Sequence, residues 1–518
     1  METLAAVLAI IVAIALLFEL ARRIRVPYPT VFVIGGLALG FLPGLPKITL
    51  EPELVLLLFL PPLLFEAALE TPIRDLRTDV WPIARLSILL VALTIGAVAI
   101  AAHEVIGLDW AAAFTLGAIL GPTDAIAATS VFRRIPVPRR VAGLVEGESL
   151  FNDATALVAY RTALLAAVGG TFVALNAFVG FVAAVAGGIA IGAAVGIGAI
   201  LILRKTDDPP VEVLLGLVVP FVAYLPADVL GVSGVLAAVT AGLIVGSRIG
   251  TILSPNSRVL WLATWKMVGF VLNGFAFVLI GLQLPDILAG LAGRSALQLA
   301  GIVGVIVVTV IATRMFYVGL VSIPAGSVRG QIGRVAPRLA WRLSFVVGWS
   351  GLRGAVSLAA ALALPEDFPE RNLVLLVTFA VIIATLVGQG LTLPAIVRWA
   401  GWNGVELDGD ELNVARAAAY EAGLAEIARA RAAWGSHGEL FDRLESSLRD
   451  RTQHLATEDP DETADRRQER IEHEEIQHGV IEAQRAAVID LRDRRAINDR
   501  TLRLIERDLD LEELRMEA

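Results

Sequence analysis

Apolar residues run along the first 404 positions in long blocks, separated by short polar gaps. A membrane-crossing helix needs roughly 20 consecutive apolar residues. Thirteen blocks reach or approach that length: 3–21, 28–43, 50–69, 82–102, 110–132, 140–168, 172–203, 211–226, 229–247, 260–284, 295–322, 338–364 and 372–400. The blocks at 28–43 and 211–226 are the shortest for a crossing. The pattern changes between Trp402 and Leu407. From Arg466 to Leu514, apolar residues such as Ile471, Ile476, Val480, Val488 and Leu491 recur at helical spacing among charged neighbours, which predicts amphipathic helices. Asp459-Pro460-Asp461 is expected to separate two helical parts. The predicted fold is therefore all-α: a polytopic membrane domain over 1–404 and an acidic helical domain over 405–518.

Composition sharpens this picture. Of 518 residues, 56% are hydrophobic and 18% charged, against about 25% charged in soluble domains. So much apolar surface cannot be buried inside a water-soluble fold of ordinary domains. The chain has no cysteine, which excludes disulfide scaffolds, thiolate metal sites and cysteine nucleophiles. The net charge of −8 divides unevenly: +4 over 1–404 and −12 over 405–518.

Loop charges predict an orientation. Arg22, Arg23 and Arg25 follow the first block, whose own start carries Glu2, unlike a cleaved signal peptide. Counting loops alternately from there puts seventeen Lys and Arg on one side and three (Lys47, Arg294 and Arg371) on the other. Basic loops favour the cytoplasm, so the N-terminus is expected outside and the tail inside. A multi-pass protein of the cell membrane has lipid as its first partner, and nothing in the charge pattern asks for nucleic acid.

Charged side chains within hydrocarbon cost several kcal/mol each and mark functional sites by default. The candidates are Glu66, Asp124, Glu146, Glu148, Asp153, Arg161, Arg314 and Arg353, while Glu19 and Arg342 lie near block ends and can reach the interface. In Gly147-Glu148-Ser149-Leu150-Phe151-Asn152-Asp153, residues Ser149, Asn152 and Asp153 fall at i, i+3 and i+4 on one helical face. Three oxygen-bearing side chains on a stripe suit a hard cation such as Na+. A stripe that only hydrogen-bonds helices together is the plainer reading, but it gives no reason for a carboxylate. Gly121-Pro122-Thr123-Asp124 interrupts the fifth block, because proline removes a backbone donor. Gly348-Trp349-Ser350-Gly351-Leu352-Arg353-Gly354 interrupts the twelfth. Two broken helices of opposite direction suggest an inverted repeat with an ion site near the midplane. Glu66 is either a second carboxylate for that site or a helix-end acid. An arginine, Arg314 or Arg353, is expected to neutralise Glu148.

With these motifs, in this order and on these blocks, residues 1–400 resemble the bacterial cation/proton antiporters of the sodium/proton exchanger type, the monovalent cation:proton antiporter-1 family. The resemblance implies thirteen helices, a dimerisation domain with a homodimer, and a six-helix core with two crossing broken helices. It implies that Asp153 is the ion- and proton-binding carboxylate. Asn152 stands where electrogenic relatives carry a second aspartate, which implies electroneutral exchange of one cation for one proton. Ser149, Thr123 through its main-chain carbonyl, Asp124 and Glu66 match positions that coordinate the cation, some through water. Arg314 matches the arginine that pairs with Glu148, and Arg353 another family arginine of structural or conformational role. No cofactor is implied; Na+, or Li+ or K+, and H+ are the transported species.

Three other readings remain at this level. A K+/H+ antiporter would use the same residues. A cation channel would more often build its filter from symmetric subunits. An intramembrane aspartyl enzyme with Asp124 and Asp153 as a dyad lacks any further supporting motif. The four histidines of the tail (His437, His454, His473 and His478) are too dispersed to predict a metal site. The tail's own partner or ligand is open.

Overall fold

The computed structural model describes residues 2–24, 26–42, 52–71, 73, 76, 79–132, 135, 137–169, 174–291, 293–322, 337–401, 409–433, 438–455, 480–491, 494, 505 and 509. Among them all regular structure is helical. The chain divides into two compact units, Met1–Val405 and Glu406–Ala518. The loop basic residues Arg25, Lys47, Arg74, Arg77, Arg133, Arg134, Arg329 and Arg334 lie outside the described residues, as does Asp459-Pro460-Asp461.

In the first unit each of the thirteen apolar blocks overlaps a helix among the described residues. The elements are α1 (Glu2–Ile24), α2 (Tyr28–Gly40), α3 (Pro52–Glu70), α4 (Val80–Ile106), α5 (Trp110–Leu120), α6 (Ala125–Phe132), α7 (Arg139–Gly169), α8 (Ala174–Leu203), α9 (Pro209–Val229), α10 (Gly234–Gly246), α11 (Pro255–Ala289), α12 (Ala296–Tyr317), α13 (Pro337–Trp349), α14 (Ala355–Leu362) and α15 (Arg371–Ala400). Seven stretches among the described residues are long and apolar enough to cross a membrane: α4, α5 with α6, Val179–Leu203 of α8, α9, α11, Ala296–Leu320 and α15.

Local sequence explains where the helices begin. Asp109, Asp208, Ser233 and Ser295 each accept a hydrogen bond from a backbone N–H of the following first turn, satisfying donors that a helix start leaves free. Proline at the first positions of α9 needs no such donor. Small residues then set the packing. Gly188, Gly192 and Gly196 recur every four residues on α8, and a Cβ at the first two would run into the Ser233 and Ala237 carbonyls of α10. That spacing lets two membrane helices approach closely without a hydrophobic driving force.

Two helical blocks are interrupted as the sequence predicts. Residues 121–124 separate α5 from α6, and residues 350–354 separate α13 from α14. The interruptions touch: the Asp124 N–H donates to the Leu352 carbonyl at 2.7 Å. Two further elements carry π-helical turns facing this place, Arg85–Leu90 in α4 and Ala384–Gln389 in α15. Around it lies the largest apolar core, which includes Leu116, Ile119 and Leu120 of α5, Leu352, Leu358 of α14 and Val377 of α15.

The second unit contains α16 (Gly409–Ala433) and α17 (Gly438–Leu455), and residues 480–491 are helical. Arg431 of α16 pairs with Asp442 at 2.8 Å and Glu445 at 3.0 Å on α17, and its guanidinium lies over the Phe441 ring.

Candidate ion-binding site

The site is built where the α5–α6 interruption meets α7. Thr123, in the interruption, is its hub. The Ser149 hydroxyl donates to the Thr123 carbonyl at 2.8 Å and accepts from the Ala125 N–H at 3.2 Å. The Asn152 amide donates to the Thr123 hydroxyl at 2.6 Å. That hydroxyl donates in turn to Glu148 at 3.3 Å. The helical stripe Ser149, Asn152 and Asp153 is thus aimed at the broken backbone, as the i, i+3, i+4 spacing requires.

Asn152 and Asp153 are buried, and each keeps one oxygen, Oδ1, with no hydrogen-bond donor. Asp124 caps the start of α6 by accepting from the Ile126 N–H at 2.8 Å through Oδ1; its Oδ2 is buried without a donor. Buried oxygens of this kind are expensive to leave unmatched. A proton or a hard monovalent cation is the kind of positive charge that such oxygens can accept.

Arg314 and Glu148 form a bidentate pair with side chains 2% and 1% exposed. Arg314 further donates to the Gly348 and Val347 carbonyls, each at 3.0 Å, at the end of α13. Arg353, grouped with that pair from the sequence, is placed otherwise. Its guanidinium donates to the Gly121 carbonyl at 2.7 Å and the Pro122 carbonyl at 2.5 Å. Non-helical backbone leaves these carbonyls without their usual donors, and arginine's fork can serve two acceptors at once. Arg353 is therefore a clamp between the two interruptions rather than a partner of Glu148.

Glu66 is half-buried on α3, with its carboxylate against Gly269 of α11. Among the remaining membrane charges, Glu19 pairs with Arg22 and Arg23 at the end of α1, and Arg161 pairs with Asp228 of α9.

Several contributors were not legible as site residues. The Ser87 hydroxyl of α4 donates to the Glu148 carbonyl at 3.2 Å. Thr385 of α15 accepts from the Arg353 N–H at 3.1 Å. Both lie in π-helical turns, which have no sequence period of their own. Gly351 and Gly354 matter for space: a Cβ would collide with the Arg314 side chain at the first and with the Asp124 carboxylate at the second. The glycines were visible in the sequence; what they admit was not.

Buried carboxylates and amide oxygens gathered at helix interruptions, inside a multi-spanning helical protein, define a secondary transporter of small cations rather than an enzyme. The chain belongs to the sodium/hydrogen exchanger family, whose transmembrane-domain profile (sodium/hydrogen exchanger, transmembrane) matches residues 7–399. It is similar to an uncharacterized Na+/H+ exchanger of Mycobacterium tuberculosis, 34% identical over 528 residues, covering 99% of this chain and 96% of that one. It is also similar to the Na+/H+ antiporter ApNhaP of Aphanothece halophytica, 34% identical over 406 residues, 77% of this chain and 75% of that one. Among solved structures it resembles the sodium proton antiporter MjNhaP1 of Methanocaldococcus jannaschii at pH 8, with TM-score 0.57 and 19% identity, covering 75% of this chain and 100% of that chain. The protein is thus a multi-pass cell-membrane cation:proton antiporter. Its transported ions are substrates, and the family uses no cofactor.

Proposed function

We propose that the protein exchanges one Na+, or Li+, for one H+, with both competing for Asp153. The observation that carries this reading is the set of buried oxygens without donors, on Asp124, Asn152 and Asp153, next to the Thr123 hub. Ser149, Thr123 and Asp124 are the nearest further oxygen ligands, some acting through water, and Glu66 contributes from α3. Asn152 binds without adding charge, so only the Asp153 carboxylate is neutralised, once, by either ion. That makes the exchange electroneutral. Glu148, Arg314 and Arg353 hold the frame.

Coupling follows from charge. The proton-loaded or cation-loaded core is nearly neutral and can move through the low-dielectric barrier. The empty core carries a buried carboxylate and cannot. In this reading thirteen spans cross the membrane, the two interrupted helices cross each other, and α4–α7 with α12–α15 move as a core against a scaffold that forms a homodimer. The N-terminus is outside and the acidic 405–518 domain cytoplasmic, which the seventeen-to-three bias of loop basic residues supports.

K+ transport is the second reading. A relative in Bacillus subtilis, 34% identical over 395 residues, is named a sodium, potassium, lithium and rubidium/H+ antiporter. Proteoliposomes with an imposed pH gradient and a proton-sensitive dye decide between them. Dequenching by Na+ and Li+, unchanged by an imposed voltage and lost in Asp153→Asn, is the expected result. Dequenching by K+ alone replaces the substrate, and an Asp153→Asn variant as active as wild type removes the site.

A further inference from the structure

Arg161 lies on α7, the helix that carries Asp153, eight residues before that helix ends at Gly169. At about 1.5 Å per residue it sits roughly two turns inside the helix end, with its side chain partly exposed. Its guanidinium pairs with Asp228, 67 residues away in the last turn of α9. An acid in the last turn of a helix is disfavoured by the helix dipole. Arg161 supplies the reason for it, and the two unexplained charges account for each other.

The pair closes one end of a smooth stripe. Leu150, Ala154, Leu157 and Arg161 follow one another at steps of four, three and four, so they line one face of α7. The first three pack in one apolar cluster with Leu60 and Leu64 of α3, Tyr224 of α9 and Val239 of α10. The contact at Leu150, Ala154 and Leu157 is apolar and adds no directional bond of its own between α7 and its neighbours. A small cavity lined by Phe59, Leu63, Leu279, Gln283, Leu358 and Leu362 leaves the contact of α14 with α3 and α11 loosely filled as well. Arg161 and Asp228 add a directional, register-specific tie to an otherwise smooth surface.

We propose that the Arg161–Asp228 pair is a latch that ties α7, the ion-carrying helix, to α9 in the state shown, and that it parts when α7 moves. The inference rests on the antiport reading above. Both side chains are partly exposed, 48% and 41%, and exposed pairs are worth at most about 1 kcal/mol, or roughly a fivefold change in a two-state balance. Apparent affinity on each side of a membrane scales with the fraction of protein open to that side. Removing the latch therefore shifts the apparent cation affinities on the two faces in opposite directions.

The test uses the full chain in right-side-out and everted vesicles, with the apparent KM for Na+ read from each face. Wild type, Asp228→Asn, Arg161→Gln and the charge swap Arg161→Asp/Asp228→Arg are compared. Each neutralisation is expected to change the ratio of the two KM values by about two- to fivefold, and the swap to restore it. A ratio that ignores the single substitutions, two KM values that shift together, or a swap that fails to restore the ratio overturns the latch alone. A wild-type chain that moves no protons with Na+, Li+ or K+ overturns the antiport reading and the latch with it; one that responds to K+ alone has the same ratio read with K+.

Discussion

At the scale of single residues, the two buried arginines divide the work of holding the frame. Spacing alone could not choose between Arg314 and Arg353 as the arginine that neutralises Glu148; the family resemblance implied Arg314. The choice depends on where the α13–α14 interruption puts its backbone, which no local pattern encodes. Arg314 takes both Glu148 oxygens, and Arg353 takes the carbonyls freed by Gly121-Pro122. A buried pair resists the loss of one member far more than the loss of both, since a lone charge stays desolvated. Glu148→Gln is therefore expected to destabilise the protein by about 3–5 kcal/mol, read as a lower midpoint of thermal unfolding in detergent. Glu148→Gln with Arg314→Met should recover a large part of that loss. A double variant as unstable as the single one would show that the ion pair itself, not the orphaned charge, supplies the stability.

At the scale of elements, the interruptions were legible and their closeness was not. Gly-Pro marks the break before α6 because proline has no N–H to give, and the glycine-rich run marks the break before α14. That Gly354 stands against the Asp124 carboxylate is a contact between segments over two hundred residues apart. Its φ of −152° is not left-handed, and the close approach of Asp124 reserves the position for glycine. Gly354→Ala is expected to reduce Na+-driven proton exchange at least about fivefold, because overpacking costs typically about 1–3 kcal/mol and here falls on the site. Gly304→Ala on α12, where a Cβ meets nothing within 4 Å, should leave exchange unchanged. Equal activity of both variants in the same vesicles would contradict the close approach. The π-helical turns that bring Ser87 and Thr385 to the site were not legible at all, since one inserted residue per turn leaves no mark on hydrophobic spacing.

At the scale of the whole molecule, hydropathy alone located the long helices of the first unit, including α2 and α9 at the two shortest blocks. Backbone groups in lipid must be satisfied within the segment, so apolar length and helix go together. Selectivity has no such rule: Na+ and K+ differ by tenths of an ångström in ligand distance, and residue types do not resolve that. The central claim concerns what the assembled molecule does with a single carboxylate, namely that proton and cation exclude each other at Asp153. The most direct measurement adds Na+ to purified protein in weakly buffered detergent solution near neutral pH and counts the protons released. The account predicts release of close to one proton per bound Na+ at a pH where Asp153 is protonated, a fall in apparent Na+ affinity as pH is lowered, and no release from Asp153→Asn. Na+ binding that releases no protons at any pH, or equal release from Asp153→Asn, would contradict it.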